Sequence, residues 1–136
     1  MAKKKPSLHN ADKWFSIYTR IRDCDGDGEG VCCSCGKSKI YWRDADAGHF
    51  IPRQHRATRY HERNVHLQCR HCNRFNNGAP GGYASFIIQR YGVSTLENLD
   101  RLSRTTVKWT AFEINNMAET FKQKAQQIAK EKGIIL

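Results

Sequence analysis

Residues 44–53 read DADAGHFIPR, and residues 61–75 read HERNVHLQCRHCNRF. The first stretch carries a strand-like run, Ala45 to Ile51, and the second carries another, Asn64 to Gln68. Between them lies a loop rich in arginine and histidine. After Cys72 the pattern predicts a short helix ending at Asn76 or Asn77, where Gly78 stops it. The centre of the chain therefore runs strand, basic loop, strand, helix. Five of the six histidines fall between 49 and 71, and residues 49–75 hold six arginines against one glutamate. A lone histidine is usually structural. Five within 23 residues, beside a basic loop, call for another explanation.

The cysteines frame this region. Cys32-x-x-Cys35 and Cys69-x-x-Cys72 are two knuckles of the kind that grip a tetrahedral ion, because two intervening residues turn backbone amides toward the sulfurs. Four thiolates suit zinc or, in principle, an iron–sulfur cluster. Cys33 could replace Cys32 with a poorer bite, and Cys24 has no partner at knuckle spacing. The 33 residues between Cys35 and Cys69 exceed the roughly 15–20 of a simple zinc ribbon, so a folded unit sits between the knuckles with its ends pinned by the metal. With four thiolates the coordination is full, and this zinc is structural. The acidic stretch DCDGDGEG (23–30) imitates the start of a calcium loop, but its twelfth position is Ser34 where a bidentate Glu is needed, so it reads as a polar turn.

The whole chain has 136 residues, a formal charge of +10 and 39% apolar residues, which fits one soluble unit with a polyanionic partner. No run of 18 apolar residues spans a membrane, and no apolar segment follows the basic start as in a secretory signal. Residues 1–9 read as a basic tail, either solubilising or phosphate-contacting. Asn10 reads as an N-cap, with Trp14, Ile17, Tyr18 and Ile21 on one helix over about 11–22. GAPGG (78–82) reads as a turn, Tyr83–Tyr91 as a helix capped by Gly92, and 103–132 as one long helix. Val107, Ala111, Ile114, Ala118, Phe121, Ala125 and Ile128 step by four and three along it, a heptad seam. That seam either packs on its own domain or forms a homodimer. The expected organisation is a tail (1–9), a zinc-stabilised domain (10–102) and a C-terminal helix (103–132).

The layout resembles the ββα-metal (His-Me finger) nucleases of HNH and HNN type. More closely, AGHF, RNVHLQC and the following CN resemble the NinG (Rap) recombination nucleases of lambdoid phages, and WFSIYTRIRD extends the likeness over residues 13 to about 92. The resemblance implies an α+β fold, a ββα-metal core flanked by an N-terminal helix and C-terminal helices. It implies His49 as general base, Asn64 as the residue holding that imidazole, and Asn73 as a ligand of catalytic Mg²⁺ or Mn²⁺. It further implies hydrolysis of DNA phosphodiesters in branched recombination intermediates such as Holliday junctions and D-loops. The expected setting is a bacterial host cytoplasm, in association with the nucleoid.

One position departs from the family. Many HNH members carry a metal ligand directly before the base histidine, where this chain has Gly48. On a strand alternate residues share a face, so Asp46 is the substitute, with Asp44 further off. His66 and His71 are rivals for the same metal, and His55 and His61 are auxiliary. A guanidinium fork suits a scissile phosphate, and Arg53 is placed for it; Arg56, Arg59, Arg63, Arg70 and Arg74 would bind the DNA backbone. The competing reading is a non-catalytic zinc-knuckle nucleic-acid-binding protein. A zinc deaminase fails, because its His-x-Glu beside a zinc Cys pair is absent.

Overall fold

The computed structural model describes residues 5–136. The first four residues of the expected basic tail lie outside the described residues, and the remainder runs into helix α1 at His9. The chain is mixed α+β, with two small antiparallel sheets among five helices over the described residues.

Helix α1 (His9–Arg22) buries Ala11, Phe15, Tyr18 and Ile21, the apolar stripe of an amphipathic helix. Its start is two residues before the predicted one: Leu8 is the cap, and Asn10 lies inside the helix. Strands β1 (Glu29–Gly30) and β2 (Ile40–Tyr41) close a hairpin around the first knuckle. Before it, DCDGDGEG is the expected turn, with the Asp25 carboxylate accepting the Asp27 and Glu29 amides at 2.9 and 3.0 Å. Strand β3 (Ala45–His49) pairs with β4 (Val65–Cys69), in a register that sets His49 opposite Val65 and Ala45 opposite Cys69. Both strands are shorter or shifted relative to the sequence reading, since Phe50 and Ile51 already belong to the basic loop and Asn64 precedes β4. That loop holds one helical turn, α2 (Arg56–Arg59).

Every residue of β4 is buried. Val65 packs with Phe15, Tyr18, Trp42 and Phe121. His66, on the opposite face, lies against Tyr83, Phe86 and Tyr91 of helix α3 (Pro80–Tyr91). The outer edge of β4 is also satisfied: Leu67 donates to the Asp23 carboxylate at 3.0 Å, its carbonyl accepts from the Cys33 amide at 3.1 Å, and Arg22 reaches the Val65 carbonyl at 2.8 Å. After β4 comes a single π-helical turn, His71–Phe75, a wide-bore geometry that often marks functional sites.

The C-terminal region corrects two expectations. The stretch 103–132 read as one helix begins on the last residue of helix α4 (Val93–Ser103), crosses a connection, and becomes helical again only in helix α5 (Ala111–Lys132). α5 starts at a capping box, Thr110 accepting from the Glu113 amide while the Glu113 carboxylate accepts from the Thr110 amide. Helix α3 also starts earlier than Tyr83, because Pro80 occupies its first turn and Gly81 and Gly82 are helical. The heptad seam is an internal surface: Ile114, Ala118, Phe121 and Ala125 are buried against α1, with the Phe15 and Phe121 rings 4.7 Å apart, edge to face. Val107 lies before the helix and outside this packing. Of the two alternatives for the seam, the structure shows packing against the chain's own α1. Trp109 packs against Tyr60, with ring centroids 5.4 Å apart. No described helix is long and apolar enough to cross a membrane.

Candidate active site and metal centre

The two knuckles meet. Cys32 and Cys35 come from the β1–β2 hairpin, Cys69 ends β4, and Cys72 lies in the π-helical turn, and their four sulfurs all lie within 4.8 Å of one another. The Cys35 amide points to the Cys32 sulfur at 3.5 Å and the Cys72 amide to the Cys69 sulfur at 3.4 Å, the arrangement the two-residue spacing anticipates. Four cysteines at this spacing can hold one zinc ion. Cys33 points elsewhere, into the cluster of Tyr83, Ile87 and Leu99, and Cys24 is buried beside α1. Gly82 explains the contact between α3 and this centre: a Cβ there would collide with the Ser34 carbonyl oxygen.

Beside the centre opens a cleft of about 700 Å³, lined from α1 by Asp12 and Arg20, from β3 by Asp46 and His49, from the loops by Arg43 and Arg53, and from the π-helical turn and its approach by Arg70, Asn73 and Arg74. Five arginines face two carboxylates there, so the cleft is cationic. Of the predicted site residues, His49, Asp46, Asn73, Arg53, Arg70 and Arg74 converge on it.

His49 ends β3 partly buried, with its Nε2 2.9 Å from the Arg59 carbonyl. A carbonyl only accepts, so Nε2 carries the proton and Nδ1 keeps its lone pair. Burial, with Arg53 and Arg59 nearby, pushes the imidazole pKa down to about 4, so the ring is neutral at pH 7. Asp46 sits across β3 from Gln68 and accepts from Asn73 Nδ2 at 2.9 Å and from both ends of the Arg74 guanidinium at 2.8 and 2.9 Å. Burial alone would raise its pKa; the bonds to Arg74 and Asn73 outweigh burial and hold it below the usual carboxylate range. Gly48 cannot be replaced by a ligand, because a Cβ there would collide with the Gln68 side-chain oxygen.

Several predicted roles are corrected. Asn64 does not touch the His49 ring. Its side chain is fully buried and accepts from the Ile51 amide at 2.8 Å, while its amide donates to the Ile51 and Thr58 carbonyls at 3.0 and 3.1 Å. It staples the loop whose Arg59 carbonyl then holds the histidine. Besides Arg74, which is paired with Asp46, three more of the six arginines point away from the cleft or are already engaged. Arg59 is paired with Asp12 at 2.6 Å, Arg56 lies over Trp109, and Arg63 bonds Thr95 and lies over Tyr91. His66 is no metal rival: it is buried between Tyr83 and Tyr91, bonded at 3.1 and 2.7 Å. His71 does not line the cleft; it lines another hollow, with Lys37, Lys39, Asp44 and Arg70.

Sequence reasoning missed Asp12, Arg20 and Arg43. Their only sequence signal was position on the polar face of α1 for the first two. Arg43 is fixed by stacking on Trp42, 4.4 Å from its ring, with Arg20 5.2 Å from the same ring.

The family model described as "Bacteriophage Lambda NinG protein" matches residues 1–131 of the chain. The chain is 30% identical over 128 residues to Protein ninG of Salmonella phage P22, covering 89% of this chain and 57% of that protein. It is 29% identical over 133 residues to Protein ninG of Escherichia phage lambda, covering 93% and 59%. The same identity and length are found with Protein ninG of Escherichia phage 933W, covering 93% and 60%. The chain thus spans less than two thirds of the length of these curated relatives. No solved structure matches it significantly.

Proposed function

The chain belongs to the NinG family, and on that premise we propose that it is a divalent-metal-dependent DNA endonuclease of the HNH/HNN type, a ββα-metal (His-Me finger) nuclease. The observation that carries the proposal is one cleft holding a neutral imidazole with a free Nδ1, a carboxylate–amide pair and five arginines. The succession β3, β4 and π-helical turn supports the ββα reading, with the four-cysteine zinc centre bracing its base.

Asp46 and Asn73 fit a hard cation. They lie within 2.9 Å of each other and can offer a carboxylate and an amide oxygen, and a cation bound there would displace the Arg74 guanidinium that now occupies both Asp46 oxygens. Bound there, Mg²⁺ or Mn²⁺ would stabilise charge on the scissile phosphate and the leaving 3′ oxygen. His49 Nδ1 takes a proton from the attacking water as its oxygen bonds phosphorus. The P–O3′ bond breaks, the 3′ oxygen takes a proton from solvent, and His49 later returns its own proton to water. The Arg59 carbonyl keeps the ring in one tautomer throughout. Arg53, exposed and lining the cleft, grips the phosphate; Arg20, Arg43, Arg70 and Arg74 neutralise its neighbours. Phosphate contacts carry no sequence information, so cleavage is governed by DNA form, with branched intermediates as the substrates.

The test is incubation of labelled linear and four-way-junction DNA with the zinc-loaded protein. Cuts that leave 5′-phosphates and require added Mg²⁺ or Mn²⁺ support the proposal. Binding without cleavage under every metal tried supports the zinc-knuckle binding reading instead.

A further inference from the structure

We propose that Phe75 is a stacking platform for an unpaired nucleobase, so that DNA with an unstacked base beside the bound phosphate is the substrate class of this cleft. The inference rests on the DNA-binding part of the reading above and not on catalysis.

Phe75 is the last residue of the π-helical turn and is 79% exposed. Its sequence neighbours on both sides line the cleft: Asn73 and Arg74 before it, Asn77 and Gly78 after it. The ring of His71 lies 6.5 Å away at 30°, and His71 lines a hollow with Lys37, Lys39 and Arg70. An exposed apolar ring among cationic neighbours is ill-suited to an apolar protein patch and well-suited to a base whose flanking phosphates need neutralising. The segment after it is held open by two non-glycine residues in the left-handed region, Asn77 at φ 51° and Ala79 at φ 43°, a conformation that functional segments retain against its cost.

Base pairing and stacking hide base faces inside a duplex. A phenyl ring can reach one only where a base is unpaired or a step has been opened. Branch points, forks and gaps offer such a base close to a continuous backbone. Phe75 would thereby discriminate DNA form where the arginines beside it cannot.

The test uses the zinc-loaded full chain in buffer without added Mg²⁺ or Mn²⁺, so that binding is read without cleavage. The probes are a forked oligonucleotide with one unpaired 2-aminopurine at the branch, and the same sequence fully paired. Wild type should quench the unpaired 2-aminopurine. Phe75→Ala should lose that quenching and bind the fork about 5- to 150-fold more weakly, with duplex binding unchanged. Phe75→Trp should keep both properties. A Phe75→Ala protein that quenches and binds the fork like wild type overturns the proposal, as does an equal loss on both DNAs. Wild type that binds neither DNA overturns this proposal together with the nuclease reading. Wild type that binds and quenches but never cuts DNA when metal is added overturns the nuclease reading alone.

Discussion

The Nε2 of His49 lies 2.9 Å from the backbone carbonyl of Arg59, a bond that orients the imidazole through the main chain of the basic loop. Burial outweighs the raising effect of that bond and pushes the pKa from its ordinary 6.5 down to about 4. In the proposed nuclease the neutral ring is the active form, so activity should be lost as pH falls through the pKa of the folded state. The kcat/KM profile should be flat from about pH 8 to pH 5 and drop near pH 4, as measured by cleavage of a labelled oligonucleotide at saturating Mg²⁺. A limb near 6.5 would mean that the ring is solvated and not buried.

Asn64 acts on that histidine at one remove. Asn64→Ala leaves the Ile51 amide and the Ile51 and Thr58 carbonyls without their buried partner. Stability should fall by about 1–3 kcal/mol for the loss of buried hydrogen bonds. Urea unfolding gives the stability, and activity measured well below the unfolding midpoint should also fall, because the Arg59 carbonyl loses its anchorage.

His66 predicts an acid sensitivity of the fold. Burial drives its pKa down to about 3, so between about pH 6.5 and pH 3 the unfolded chain binds a proton that the folded chain refuses. Its contribution to stability is present above the ordinary value and declines as pH falls through that window. His66→Gln should flatten the fall in urea midpoint between pH 6 and pH 4. His49 is depressed in the same direction, so part of the slope should remain.

The four cysteine sulfurs predict one zinc per chain. Cys69→Ser should lower the metal content and the thermal midpoint together, since ligand binding to the folded state alone adds stability. Metal analysis and a melting curve on the same samples check this. Zinc-free wild type with an unchanged midpoint would contradict it.

The α5 seam should behave as core. Phe121→Ala removes a ring packed against Phe15 and Tyr18 and should cost about 3–5 kcal/mol. Its signature in sedimentation and unfolding should be loss of stability with no change in the wild-type state of association.

The parts of this chain that local chemistry dictates were legible in its sequence. Knuckle spacing predicted which four cysteines meet, and period-two runs predicted β3 and β4 to within two residues. His49 and Asn73 came from the family resemblance and Asp46 from the alternation of faces along a strand, and the three line one cleft. The misreadings share a physical origin. A heptad seam looks alike whether its cover is a second chain or α1, because burial has no sequence label for its partner. Asn64 could bond either the ring or the loop, and only the path of residues 51–59 decides. Arg56, Arg59 and Arg63 count as basic in any composition, yet Trp109, Asp12 and Tyr91 engage them. The capping box at Thr110 and Glu113 was readable, and reading it would have divided the long C-terminal helix correctly.

His49 is the residue on which the reading of a DNA-cutting cleft rests. The most direct measurement compares wild type with His49→Ala on supercoiled plasmid in Mg²⁺ and in Mn²⁺, with binding of the same DNA measured in parallel. Wild type should nick the plasmid, His49→Ala should lose at least about 100-fold in rate, and both should bind nearly equally. Nicking by His49→Ala at the wild-type rate would contradict the assignment.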